Sequence, residues 1–292
     1  MRLLAFDKQG TPSVGVRLGE EVVDLAEAAP DLPRDIAGLL AAGPDALARA
    51  KSAAQAARTR LPLAGVRHLV PIPNPDKNIG LGLNYLSHIR EMDPNFPDPE
   101  FPGMFMRTPS SMVAHRQSIV RPSISDTLDY EGELMVVIGK AGRHIPVERA
   151  LDHVAGYTCH NDGSVREYNQ WPVSVTAGKN FERTGGMGPE IVTADELPPG
   201  CKGLTLRTRV NGELRQNQDL SHMHWDVANL IHLMSRMSPL LPGDLLTTGS
   251  PAGVGAGFKP PKFLKAGDVV EVEIESLATL INPVVDEEIA AS

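Results

Sequence analysis

Cysteine is scarce: the 292 residues include two, Cys159 and Cys201. Two cannot form a disulfide scaffold and neither belongs to a C-x-x-C pair, so the chain reads as a protein of a reducing compartment, the cytoplasm. Aromatic residues make up only 4%, which removes the stacking platforms of single-strand nucleic-acid binders. Positive charge is in deficit, with Lys+Arg 28 against Asp+Glu 36 and a net charge of −8. That is the wrong sign for a general phosphate-backbone binder. No run approaches the roughly 20 apolar residues that span a bilayer. The opening stretch, Met1 to Lys8, meets charge too early for a signal peptide. Neither a nucleic acid nor a membrane is therefore expected as a partner.

What is present is an ordinary folding composition. Hydrophobic residues at 41% and charged residues at 22% exclude disorder as the main state, and Gly 27 with Pro 25 implies many turns. Leu3 to Asp24 reads as short strands broken at Gly10 and Gly19, and the Ala-rich stretch Asp35 to Arg58 as one or two helices. Pro71, Pro73 and Pro75 then make an extended connector. This divides a small N-terminal α+β domain, residues 1–70, from a larger domain, residues 71–292. The larger part is β-rich, with strands at Glu133 to Ile138 and Asp268 to Ile274 and a hairpin through Asn211-Gly212. Helices are expected at Tyr85 to Met92, Val147 to Asp152 and Asp226 to Ser238. A loop holding Pro94, Pro97, Pro99 and Pro102 is of a kind that often serves as a lid.

Three groups of residues carry chemistry. Glu131 and Glu133 flank Gly132 at the head of the most apolar strand, where i and i+2 share a face. Two such carboxylates repel unless a proton or cation intervenes. With Asp162 as a third oxygen ligand they suit Mg²⁺ or Mn²⁺, although Glu-x-Glu also decorates solvated strands. His160 is a rival ligand, and His222 with His224 reads as a surface pair. Next, His88 and Glu91 stand i, i+3 on the helix before the proline loop, where a carboxylate can fix an imidazole's tautomer. The same spacing equally describes an exposed helix pair. Last, the turn-rich segment Thr247 to Gly255, which is no P-loop, offers backbone N–H groups and the Thr248 and Ser250 hydroxyls to an anion. Lys179 and Arg166 are further anion-binding candidates or plain surface cations.

Taken in order, these segments resemble the fumarylacetoacetate hydrolase family. The resemblance runs through Asn84 to Met92, Asp129 to Gly139, Gly156 to Arg166, Gly178-Lys179-Asn-Phe, Gly188-Pro189, Val210 to Gln216, Leu241 to Asp244, Thr248 to Gly255 and Gly267 to Ile274. It covers about Pro71 to Asp286. It implies a mixed β-sandwich roll, a homodimer, and one divalent metal ion held by Glu131, Glu133 and Asp162. It further implies His88 and Glu91 as a water-activating pair on a segment that closes over substrate, with Lys179 beside metal and substrate. Tyr85, Arg107, Arg166, Thr248, Gly249 and Ser250 are the expected substrate contacts. Arg107-Thr108 replaces a common Lys-Pro near the expected substrate mouth, Glu182 replaces a common Asp, and Gly163 stands where a larger residue is frequent.

The complete His88–Glu91 pair leads to an expectation of C–C bond hydrolysis in an acylpyruvate-like or other diketo acid. The alternative is decarboxylation, tautomerisation or hydration of a 2-oxo acid of the oxaloacetate kind, through the same enolate chemistry. A non-catalytic module binding an acidic metabolite would need the carboxylates but not the pair.

Overall fold

Short, mostly apolar runs, buried at Leu3-Leu4, Val14 to Val16 and Val22 to Asp24, build the first three strands, Arg2–Lys8, Thr11–Leu18 and Glu21–Asp24. Gly10 and Gly19 turn between them at φ +89° and +63°, a region that favours glycine. Asp35 caps the Ile36–Ala41 helix by accepting from the Gly38 N–H. The Pro44–Ala56 helix buries Ala46, Ala50 and Ala54, an i, i+4 stripe that packs against the sheet through Val14 and Val16. This computed structural model describes residues 1–169 and 174–289. None of its helices is long and apolar enough to cross a membrane.

The first strands do not close a sheet of their own. Arg2–Lys8 pairs with Gly185–Thr193, which pairs with Val154–Asn161, then Gly132–Ile138, Leu245–Thr247 and Asn78–Gly82, with Gly103–Met106 at the edge. One twelve-stranded sheet thus runs across residue 70. Arg2 and Arg17 both reach Glu190, a buried carboxylate of the Gly185–Thr193 strand. A second sheet of five strands, ordered Glu213–Asp219, Thr205–Val210, Val269–Ile274, Leu280–Asp286 and Ile119–Arg121, packs against the first. Leu134, Val136, Tyr157, Leu206, Val272 and Leu280 form the core between them.

The architecture is a strand-rich α+β fold. The Asn211-Gly212 hairpin and the Leu86–Met92 helix form where the sequence places them. So does the Val227–Met237 helix, capped by Asp226. The expected Val147 helix is instead a 3₁₀ segment, Val147–His153. Residues 93–102 carry neither helix nor strand, as four prolines require.

Candidate metal centre and active site

Two neighbouring strands bring the carboxylates together. Gly132 pairs with Asn161 in antiparallel register, so Glu131 and Glu133 meet the residue that follows Asn161. The Asp162 N–H donates to the Glu131 carbonyl (2.7 Å), and the Glu131 N–H to Asn161 Oδ1 (2.9 Å). Gly132 is needed between the acids, because a Cβ there would lie 2.0 Å from Thr208 Oγ1 of the second sheet. Glu131, Glu133 and Asp162 are all buried and offer oxygens within 4.8 Å of one another.

Cations surround two of the three. Lys179, closing the Thr176–Lys179 helical turn, bonds Glu131 Oε2 and lies 2.5 Å from Asp162 Oδ2. Arg166 sets Nε on Asp129 Oδ2 (2.8 Å) and Nη2 2.6 Å from Glu131 Oε1. Burial works to raise the Asp162 pKa, but Lys179 and Arg107 pull it well below the ordinary range. Glu131 is likewise held low, as Arg166 and Lys179 overcome its burial. Glu133 goes the other way. Burial, then the Asp162 charge, pushes its carboxyl well above the ordinary range. Its Oε2 receives a neutral donor, the Gly249 N–H, at 3.1 Å.

This set fits a hard divalent cation. All three donors are oxygens, the preference of Mg²⁺ and Mn²⁺. Buried carboxylates at Asp129, Glu131, Glu133 and Asp162 outnumber the cations Arg107, Arg166 and Lys179, and the excess falls at Glu133. A further positive charge at that point would offset the burial and the Asp162 charge that raise the Glu133 pKa.

The Leu86–Met92 helix carries His88 and Glu91. His88 Nδ1 and Glu91 Oε2 are 3.2 Å apart, and His88 Nε2 lies 3.9 Å from Glu131 Oε1. Glu91 also accepts from the Gly253 N–H, at 2.9 and 3.2 Å to its two oxygens. The Thr248–Ser250 turn is largely spent on the protein itself. Thr248 Oγ1 donates to the Leu134 carbonyl (3.1 Å) and Ser250 Oγ to the Gly132 carbonyl (3.2 Å). Of these three turn residues only Ser250 reaches the cavity.

Two expected substrate contacts stand elsewhere. Arg107 is buried behind Asp162, with Nη1 2.5 Å from Asp162 Oδ1 and 3.0 Å from the Gly163 carbonyl, so it supports the carboxylate and does not line the cavity. Tyr85 is buried outside the lining, its hydroxyl without a hydrogen-bond partner among the described residues. His160 turns Nδ1 to the Gly186 carbonyl (2.7 Å), and burial lowers its pKa. His222 and His224 are exposed. Gly163 has no room for a larger residue, since a Cβ there would lie 1.9 Å from the Thr184 carbonyl.

A cavity of about 440 Å³ opens over this floor. Its walls include Leu83, Phe96 and Phe105, which no motif marks. Sequence reasoning also gave Asp129 no role. That buried carboxylate gathers the N–H groups of Gly255 (2.7 Å) and Ala256 (2.9 Å) together with Arg166. Its place two residues before Glu131 was the one available signal.

Known proteins share this arrangement's sequence and shape. The profile of the fumarylacetoacetate (FAA) hydrolase C-terminal family matches residues 77–285. Oxaloacetate tautomerase fahd2, mitochondrial, of Xenopus laevis is 40% identical over 98% of this chain and 90% of its own length. Oxaloacetate tautomerase YisK of Bacillus subtilis is 40% identical over 76% of this chain and 74% of its own. The maleylpyruvate hydrolase of Sphingobium sp. SYK-6, solved in complex with manganese (II) ion and pyruvate, superposes with TM-score 0.81 at 29% identity, covering 99% of this chain and 100% of that one. The chain belongs to the fumarylacetoacetate hydrolase family.

Proposed function

We propose that this protein is a divalent-metal-dependent tautomerase that interconverts the keto and enol forms of a 2-oxo acid of the oxaloacetate class. One observation carries the reading: an oriented imidazole, His88, with Nε2 3.9 Å from a buried three-carboxylate cluster. Relatives at 40% identity named oxaloacetate tautomerase support it over C–C hydrolysis, the first expectation from the sequence. Hydrolysis stays as the second reading because the maleylpyruvate hydrolase shares the fold.

Glu131, Glu133 and Asp162 would hold Mg²⁺ or Mn²⁺, which would supply Lewis-acid polarisation to a bound 2-oxo acid. The protein's own residues do the rest. Glu91 accepts from Nδ1–H of His88 and thereby leaves the Nε2 lone pair free as a base. His88 Nε2 takes a proton from C3 of the substrate, the C–H electron pair becomes the C2=C3 bond, and the imidazolium gives the proton to the former keto oxygen. One C–H bond is exchanged for one O–H bond, and nothing else enters or leaves. The Lys179 ammonium, which lines the cavity beside Glu131 and Asp162, would add positive charge next to a developing oxyanion.

Decay of oxaloacetate enol absorbance, followed with and without Mg²⁺, tests the reading. Wild-type protein with Mg²⁺ is expected to accelerate it, and His88→Ala to lose on the order of 10²–10⁴-fold, the usual worth of a general base. Decay at the buffer rate, alongside rapid cleavage of an acylpyruvate, would restore the hydrolase reading. We also infer a homodimer in a reducing, cytoplasm-like compartment, which suits the two buried free cysteines.

A further inference from the structure

The floor of the cavity is ionic, whereas its outer half, Asp93 apart, is apolar. Leu83, Ile89, Met92, Phe96 and Val175 wall it, and the Phe105 ring, 5.0 Å from the Lys179 ammonium, borders the floor. These walls are built features. Gly80 lacks a side chain where a Cβ would fall 2.1 Å from the Phe105 ring, so the ring lies against the strand backbone. Arg90 bonds the Phe96 carbonyl and pairs with Asp98, which pins the proline loop so that Phe96 faces inward. Among the described lining residues the Lys and Arg cations are Arg166 and Lys179, and both are engaged with carboxylates at the floor. The outer half offers instead the carboxyl group of Asp93. A second substrate carboxylate placed there meets no countercharge, whereas an apolar group meets apolar surface. Cavities of about 300–1,000 Å³ enclose drug-sized ligands, so about 440 Å³ exceeds what a four-carbon diacid fills.

We propose that the outer half receives an apolar substituent on C3 of a 2-oxo acid, so that the enzyme tautomerises arylpyruvate-type acids as well as the oxaloacetate class. This rests on the tautomerase reading above and names the substrate class of the same site. The bond changes are the same: C3–H breaks, the enol O–H forms, and no co-reactant is needed. An aryl group on C3 conjugates with the enol double bond and lies outward from the carboxyl and keto oxygens held at the floor.

The test compares phenylpyruvate enol with oxaloacetate enol in Mg²⁺ buffer, using wild type, Met92→Asp and Phe96→Ser. Met92 is 48% exposed, so its replacement spares the core. The expected result is phenylpyruvate turnover with kcat/KM at least equal to that for oxaloacetate. In each variant the ratio of the two kcat/KM values should fall about tenfold, the low end for apolar pocket contacts. Calorimetry with the unreactive pair N-phenyloxamate and oxamate gives a second readout. The phenyl group should add about tenfold in affinity for wild type, and less for the variants. Oxaloacetate turnover with phenylpyruvate left at the buffer rate would overturn the inference, as would a ratio unmoved by both substitutions. A phenyl gain in affinity without turnover of either enol would uphold the pocket and reject the tautomerase reading instead.

Discussion

Two carboxyl groups of one cluster are driven in opposite directions: Asp162 is held ionised by Lys179 and Arg107, and Glu133, which forms no ion pair among the described residues, is pushed up by burial and the Asp162 charge. Glu133→Gln should therefore leave the metal-free protein folded and at least as stable as wild type, because it removes a crowded charge. In a melting experiment wild type should gain about 5 °C with Mg²⁺ at a hundredfold excess over Kd, and the variant should gain none. An equal gain in both would remove Glu133 from the ligand set. Away from the site, His115 accepts the Ile281 N–H at Nδ1 (3.1 Å) and meets His68 edge-on at 5.1 Å. Burial, then the neighbouring His68 and Arg116, lowers its pKa to about 4. Because the folded value lies below the ordinary one near ~6.5, protonation favours the unfolded chain. Stability from this residue is complete above pH ~6.5 and is lost as pH falls towards 4, on the order of 3 kcal/mol in all. His115→Asn should flatten the plot of unfolding free energy against pH in that window, and an unchanged slope would refute the assignment. Glu131, Glu133, His88 and Glu91 stood out in the sequence because strand and helix spacing puts each pair on one face, but their roles, and that of Asp162, came from the ordered family resemblance and not from spacing. The place of Arg107 was not legible, because only the pairing of distant strands shows that it stands behind Asp162 and not at the mouth.

At the scale of elements, strands with clean alternation or continuous apolar runs were readable, as was the Asn-Gly hairpin. The 3₁₀ character of Val147–His153 was not, since spacing of apolar residues alone does not separate three residues per turn from 3.6. Nor did any local pattern show that the Leu128–Asp129 strand and the Gly255–Gly257 turn are joined through one side chain. Asp129 takes two backbone N–H groups of that turn and the Arg166 guanidinium. Asp129→Ala strips a buried cation of a partner and leaves donors unsatisfied, which costs about 3–5 kcal/mol. Denaturant titration should show that loss, and Asp129→Asn should recover part of it. A loss below about 1 kcal/mol for Asp129→Ala would mean that water replaces the carboxylate.

Across the whole molecule, the twelve-stranded sheet ends at Gly103–Met106, which pairs on one side with Asn78–Gly82. Around that edge stand Phe101, 69% exposed, Met104, Met106 and Met237, 59% exposed. An apolar strip beside an open strand edge is a surface that water covers poorly. A second copy of the chain covering it accounts for both features. Sedimentation equilibrium at micromolar concentration should then give about twice the 31.4 kDa of one chain, and Met104→Lys with Met237→Glu should shift the mass towards the single-chain value. A single-chain mass for wild type would rule the dimer out.

Glu91 holds His88 on one side and the Gly253 N–H on the other. In the proposed reaction the group that aims the base is thus also a latch between the helix and the turn facing it. A swing of the helix that broke this latch would release the turn and the imidazole's alignment together. Exchange and proton transfer would then belong to different moments of the cycle, and a reactive enol would not be handed to bulk water by a protein still poised to attack it.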